Sequence, residues 1–496
     1  MQSNSWNLED TYTSLPQIFY RYHSPAAALN PQMVIYNHEL ARDLGLNPNN
    51  PCEKIFSGTA LPPGAKPICQ AYAGYQFGHF AMLGDGRAVL LGEQITPTGN
   101  RFDVQLKGAG PTPFSRGGDG YAALLPMLRE YIISEAMFHL GIPTTRSLAV
   151  TLTGKPVIRE KKLSGAVLTR IAGSHIRVGT FNYAAAFGTA EDVRALADYS
   201  IWRHFPWIAE HGEWREAAVP SSKLSGRYIL FFREVAARQA ALIAGWQLIG
   251  FVHGVMNTDN MSICGETIDY GPCAFMDTYD PDTVFSSIDA TGRYAYKNQP
   301  VIGAWNLSRF AEVLLPLFHE NEDEAIELAK HEIERYRDVY QKTWLNGMRA
   351  KLGIDGESTE DAGIADELLA LMHEHKLDYT NTFLALTHAG EKAGMPSESS
   401  GLATKMPLPK MPDFTAWQKK WLARRGELHN APVMNANPAV IPRNHRVEEA
   451  LAAAGHGDFS VMHDLLAALR QPYEESDMYS QPPGADSCSY KTFCGT

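Results

Sequence analysis

The sequence predicts an α+β fold, a small sheet-bearing lobe followed by a larger helical lobe with helical extensions. Two observations carry this: extended segments broken by glycines crowd residues 68–109, and long apolar-periodic segments dominate from residue 228 onward. The bulk composition agrees, since 496 residues with 45% hydrophobic and 20% charged side chains bury a sizeable core without staples.

Residues 1–65 are read as an N-terminal extension, 66–180 as the first lobe, 181–470 as the helical lobe and 471–496 as an irregular tail. In the first lobe, Gly74, Gly78, Gly84, Gly86 and Gly92 separate extended pieces such as Ala88–Leu91 and Phe102–Lys107. Within the latter, Phe102, Val104 and Leu106 alternate with Asp103, Gln105 and Lys107, so period two sets Lys107 opposite the apolar trio. A glycine-rich connection, Gly108 to Gly120, leads into a helix over about 122–140 that Gly141 and Pro143 stop. Residues 147–153 and 166–171 are expected as strands, and 228–249, 305–318, 324–342, 365–375, 447–454 and 462–469 as helices. Residues 395–412, rich in Pro and Ser, read as a loop.

The net charge of −11 argues against nucleic-acid or anionic-membrane partners, which need a positive field. The N-terminus lacks an apolar signal-peptide core and no stretch is expected to reach the length of a membrane span, so a cytoplasmic protein is expected. Six cysteines without a CxxC do not form a disulfide framework or a zinc site.

The chemistry concentrates in His253-Gly-Val-Met-Asn-Thr-Asp259-Asn260, followed nine residues later by Asp269-Tyr270-Gly271. Protein kinases carry H-R-D-x-x-x-x-N and then D-F-G, the Asn and second Asp holding magnesium. Aligning His253 on that histidine puts Asn260 and Asp269 on the two metal ligands, an amide oxygen and a carboxylate suited to Mg²⁺ or Mn²⁺. The position of the kinase base is Val255, which takes no proton; Asp259 is the nearest spare carboxylate. Upstream, Lys107 ends its strand on the polar face, with Glu130 on the next helix as its partner and Glu135 as the rival. Gly84-Asp85-Gly86-Arg87 suits a phosphate-covering turn, though alone it is a hairpin turn. Arg170 and Arg177 suit polyphosphate charge, though unsupported they read as surface arginines.

Four runs resemble the selenoprotein O family, the YdiU-type proteins of bacteria: residues 105–120 (QLKGAGPTPFSRGGDG), 253–262 (HGVMNTDNMS), 268–272 (IDYGP) and 441–445 (IPRNH). The resemblance implies a protein-kinase-like fold that works as a protein adenylyltransferase. With ATP flipped relative to kinases, AMP passes to protein Ser, Thr or Tyr hydroxyls, self-modification included, and pyrophosphate leaves. Carried over, Lys107 contacts phosphates and pairs with Glu130. Gly84, Gly86, Arg87, Asp119, Gly120, Arg170, Arg177 and Asp269 line the ATP site, Asn260 and Asp269 bind the metal, and Asp259 accepts the proton. The resemblance further implies a redox disulfide between Cys273 and Cys494, the latter third from the end, where eukaryotic members carry selenocysteine. Cys488 competes as partner. Three alternatives stay open: a kinase transferring the γ-phosphoryl group, an inactive nucleotide binder motivated by Val255, and a thiol oxidoreductase using Cys494.

Overall fold

Alternation and glycine turns build the first half of the chain into an antiparallel sheet. The computed structural model describes residues 6–210, 221–392, 408–425 and 436–484. In chain order the strands are β1 (Leu8–Glu9), β2 (Tyr20–Tyr22), β3 (Gln32–Tyr36), β4 (Ile68–Gln70), β5 (Ala73–Gln76), β6 (His79–Met82), β7 (Ala88–Ile95), β8 (Arg101–Lys107), β9 (Ala122–Ala123), β10 (Arg146–Ile158) and β11 (Lys162–Ala172). The main sheet runs β2-β4-β7-β8-β11-β10-β3, with β1 added to β7 and β9 to β11; β5 and β6 form a separate hairpin. Residues 8–36 therefore supply strands at both edges. The segments expected at 147–153 and 166–171 are the open end of one long hairpin, β10–β11.

The helices are α1 (His38–Asp43), α2 (Glu53–Phe56), α3 (Leu124–His139), α4 (Val178–Phe187), α5 (Ala190–His204), α6 (Pro206–Glu210) and α7 (Ser221–Leu248). Then follow α8 (Gln299–Phe318), α9 (Glu322–Leu352), α10 (Asp361–Glu374), α11 (Tyr379–Lys392), α12 (Pro412–Arg425), α13 (Asn444–Gly455) and α14 (Ser460–Leu469). Helix α9 shows why such segments hold. The Asn321 side chain accepts from Glu324 N at its start, three acids fill the first turn, Arg349 and Lys351 the last, and Gly353 at φ +64° closes it.

One apolar core runs from the face of the sheet through α3 into the helices, where Phe181, Phe231, Phe232, Phe310 and Phe318 interleave. A second core forms where Trp417 and Trp421 of α12 stack against α10. One sequence expectation needs correcting: residues 296–318 do form a helical stretch long and apolar enough to span a membrane. Its apolar face is spent inside the protein, with Leu307, Phe310, Leu314 and Phe318 buried in the first core.

Helices α1, α2, α4, α5, α6, α11 and α12 were not anticipated. For α5 a signal was present: Thr189 and Asp192 form a capping box. Of the loop expected at 395–412, residues 395–407 lie outside the described residues.

Candidate active site

A cavity of about 570 Å³ opens between the sheet and the loops that follow α7. Strand β8 brings Lys107 to its wall, and pairing of β8 with β11 sets Arg170 opposite Gln105, on the same polar face. That face is buried, because the loops and helix α3 cover it. Lys107 Nζ donates to Glu130 Oε2 at 2.6 Å and to Asp269 Oδ1 at 2.7 Å. Glu135 is engaged elsewhere, by Arg146 at 2.7 and 2.9 Å and by Asn37 at 2.7 Å. Arg170 donates to Asp269 Oδ1 at 2.6 Å and Gln105 Oε1 at 2.6 Å. Arg177, the N-cap of α4, donates to Asp269 Oδ2 at 2.5 Å and to the Asp259 carbonyl at 2.6 Å, and stacks over Tyr72 at 4.6 Å. Both arginines are 2% exposed, so the surface reading is wrong. Alternation along β11 and the N-cap position turn them inward.

Three cations thus converge on Asp269. Burial pushes this carboxyl up, but Lys107, Arg170 and Arg177 together outweigh it and hold it well below the usual carboxylate range. Its backbone sits at φ +63°, a conformation that side-chain-bearing residues adopt only when the surroundings enforce it. The enforcement comes from neighbours. Buried His253 meets the Ile268 carbonyl through Nε2 at 3.0 Å, and Tyr270 OH is bonded to Thr144 Oγ1.

The loop carrying Asp259 and Asn260 is a short 3₁₀ turn, 258–260, fastened on two sides. Tyr75 N donates to Thr258 Oγ1 at 2.9 Å and Phe77 N to Asn257 Oδ1 at 3.2 Å, which latches the β5–β6 hairpin to it. Asn260 gives its amide N–H to the Val255 carbonyl at 2.9 Å, leaving the amide oxygen as the end available to a cation. Asp259 is 7% exposed, and its Oδ1 is buried without a hydrogen-bond partner. Burial pushes its pKa up to about 6, partly offset by Arg177. Gly74 approaches this carboxylate so closely that a Cβ there would lie 2.7 Å from Asp259 Cγ.

The cavity lining unites Gly86, Arg87, Lys107, Glu130, Arg170, Arg177, Val255, Asp259, Asn260 and Asp269. Gly84, Asp119 and Gly120 do not line it. Gly84, at φ +86°, lets Phe114 pack beneath the turn, and Asp119 is held by Arg159 at 2.7 and 3.1 Å. The sequence reading missed Tyr72, Gln76, Asp85 and Asn257 in the lining, and Glu448, Leu451 and Ala452 from α13. Two of them carried a signal, Asn257 inside the 253–262 run and Asp85 inside the glycine turn; burial pushes Asp85 to about 6 and it accepts from Gln70 N and Gln105 Nε2. Helix α13 is joined to the site by Arg129, which reaches Asn444 Oδ1 at 3.2 Å, Glu448 at 3.1 Å and the Cys273 carbonyl at 2.9 Å. The adjoining Arg443 is buried against Asp378, at 2.8 Å, and Asp277, which accounts structurally for the 441–445 run. Cys273 is fully buried beside this arginine relay; Cys488 and Cys494 lie outside the described residues.

An oxygen-donor pair, a buried carboxylate with an orphan oxygen and three fixed cations in one cavity are suited to a polyphosphate and its cation. Such a set suits an enzyme that handles a nucleoside triphosphate. The profile of the family described as protein adenylyltransferase SelO matches residues 3–470. Relatives called protein nucleotidyltransferase YdiU include those of Brevibacillus brevis (55% identical over 505 residues) and Bacillus thuringiensis (54% over 505), each covering 99% of this chain and 98% of its own length. That of Halalkalibacterium halodurans is 54% identical over 506 residues with the same coverage. The chain belongs to the SelO family of protein adenylyltransferases.

Proposed function

We propose that this adenylyltransferase transfers AMP from ATP to Ser, Thr or Tyr hydroxyls of proteins, with Asp259 as proton acceptor. The observation that carries the reading is the Asp259 carboxylate, buried with an unpartnered oxygen in the same cavity as Asn260, Asp269 and the three cations. Val255 also lines that cavity and takes no proton; of the carboxylates there, Asp85 accepts from Gln70 N and Gln105 Nε2, Glu130 from Lys107, Glu448 from Arg129 and Asp269 from three cations, which leaves Asp259 for the task.

Lys107, Arg170 and Arg177 bind the phosphates, exchanging part of their present pairing with Asp269 for phosphate oxygens. Asn260 and Asp269 hold Mg²⁺ or Mn²⁺, which when bound offsets polyphosphate charge. The acceptor hydroxyl attacks the α-phosphorus, its proton passes to Asp259, and the bond to the bridging β-phosphate oxygen breaks, releasing pyrophosphate. With a pKa near 6, Asp259 is ionised at neutral pH and basic enough to help, by roughly 10²–10⁴-fold. The sheet segment 66–180 and the helical segment 181–470 serve as the two lobes of a protein-kinase-like fold around this cavity.

Intact-protein mass spectrometry after incubation of a protein acceptor with ATP and Mg²⁺ tests the reaction. An added AMP mass supports it, and an added phosphate mass refutes it in favour of a kinase. Asp259→Ala is expected to keep ATP binding and lose transfer, whereas Asp269→Ala loses both; full activity in Asp259→Ala removes the base assignment. As a regulatory extension, Cys273 and Cys494 form a disulfide on oxidation that lowers activity. Free thiols at both positions in oxidised protein would end that idea.

A further inference from the structure

The hairpin latched to the catalytic loop has a second face. Along β5–β6, Tyr75 pairs with Phe80, and Gln76 with His79. Alternation sends Gly74 and Gln76 toward Asp259 and the cavity, and Tyr75 and Phe80 outward. On that outer side the rings form a row. Phe187, at the end of α4, lies 6.3 Å from Phe80; Phe80 lies 5.4 Å from Tyr75; Tyr75 lies 5.7 Å from Trp305 of α8. Phe80, Met82 and Phe187 are 42%, 37% and 51% exposed, so two rings and a thioether of one row meet water together.

The charge beside the row is positive in balance: Arg309, stacked over Trp305 at 5.4 Å, is paired with Glu312, and two further guanidiniums stand without such a partner. The Arg293 guanidinium stacks over Trp305 at 4.7 Å and has no acidic partner among the described residues. Arg116, at the other end, donates to the Met82 carbonyl at 3.4 Å and likewise has no acidic partner among them. In a chain of net charge −11, two uncompensated guanidiniums flanking an aromatic strip make a local exception.

We infer that this face docks the protein substrate: an extended segment carrying aromatic and acidic side chains lies along Tyr75, Phe80 and Phe187, its acids toward Arg293, and delivers its hydroxyl over the hairpin to Asp259. The hairpin then serves two ends, shaping the cavity on one side and gripping the acceptor on the other. Direction toward Asp259 rests on the proposed role of that residue; the docking preference does not.

The test uses the full chain, α-labelled ATP and two peptide libraries. Each contains Ser, Thr and Tyr acceptors; one flanks them with Glu and Phe, the other with Lys and Gly. The wild-type protein is expected to show a KM about tenfold lower for the Glu/Phe library. The double variant F80S/F187S should lose that preference, and Arg293→Glu should shift it toward the Lys/Gly library, both with ATP affinity by calorimetry unchanged. Equal use of the libraries, no modification of either, or a preference that survives in the variants overturns the inference. So does a wild-type dimer that F80S/F187S splits, which assigns the face to a second copy. Failure of the base assignment reads differently: Asp259→Ala then retains transfer to both libraries while the preference remains.

Discussion

Gly74→Ala isolates the geometry of the proposed base without replacing a charged group. The added methyl would land 2.7 Å from Cγ and 2.9 Å from Cβ of Asp259, where ordinary contact begins at 3.4 Å. Neither backbone yields easily, since the hairpin is tied to Thr258 and Asn257, and the Asp259 carbonyl is held by Arg177. The strain is relieved by the carboxylate retreating by about 1 Å, and a displacement of that size costs on the order of 10²-fold in rate. The phosphate-facing cations lie on other elements, so ATP affinity should change less than threefold. Transfer of label from α-labelled ATP to protein, measured beside calorimetric ATP binding and a thermal melt, reads all three quantities. A Gly74→Ala protein that folds, binds ATP and transfers within threefold of the wild-type rate would refute the placement of Asp259 as base.

Other substitutions separate structural from chemical roles. Glu135→Ala strips Arg146, Asn37 and the Ser147 amide of a buried partner and should cost about 3–5 kcal/mol in denaturant unfolding, with ATP affinity of the folded fraction intact. Burial pushes Lys351, seated 4.2 Å from the Phe383 ring, from near 10.5 down to about 7. The unfolded chain therefore binds the extra proton between pH 7 and 10.5, stability rises with pH through that window, and the full penalty applies below pH 7. Lys351→Met should flatten that slope and stabilise the protein at pH 7 by on the order of 1–3 kcal/mol, read as unfolding midpoints across pH. Gly363→Ala, in α10 with open space around it, should stabilise by roughly 0.5–1 kcal/mol in the same assay and leave transfer unchanged.

What could be read in the sequence was what is local. Lys107 and Gln105 share a face because strands alternate, and Asn260 and Asp269 stand out because their spacing matches that of the kinase metal ligands. What could not be read was assembled by packing. Nothing in residues 441–455 announces that Leu451 and Ala452 wall the cavity, because the packing of α13 on α3, together with the Arg129 contacts, puts them there. Arg170 and Arg177 were ambiguous for the same reason. A guanidinium on a strand or at a helix start is a surface group until a second layer covers it, and the covering layer arrives from residues 253–272. The short strands before residue 40 carry too few residues for period two to be seen; their pairing partners define them.

Those short strands set an order of events during synthesis. Ile35 of β3 pairs with Val150, and Arg21 of β2 with Cys69, so the first part of the chain to leave the ribosome waits longest for one of its partners. At roughly 5–20 residues per second the delay between residues 35 and 150 is on the order of ten seconds, during which a strand with unsatisfied amides is open to any other chain. The same dependence holds for a fragment: a protein begun at residue 66 keeps every member of the cation cluster yet exposes both edges of its sheet, and should be recovered as aggregate rather than as enzyme.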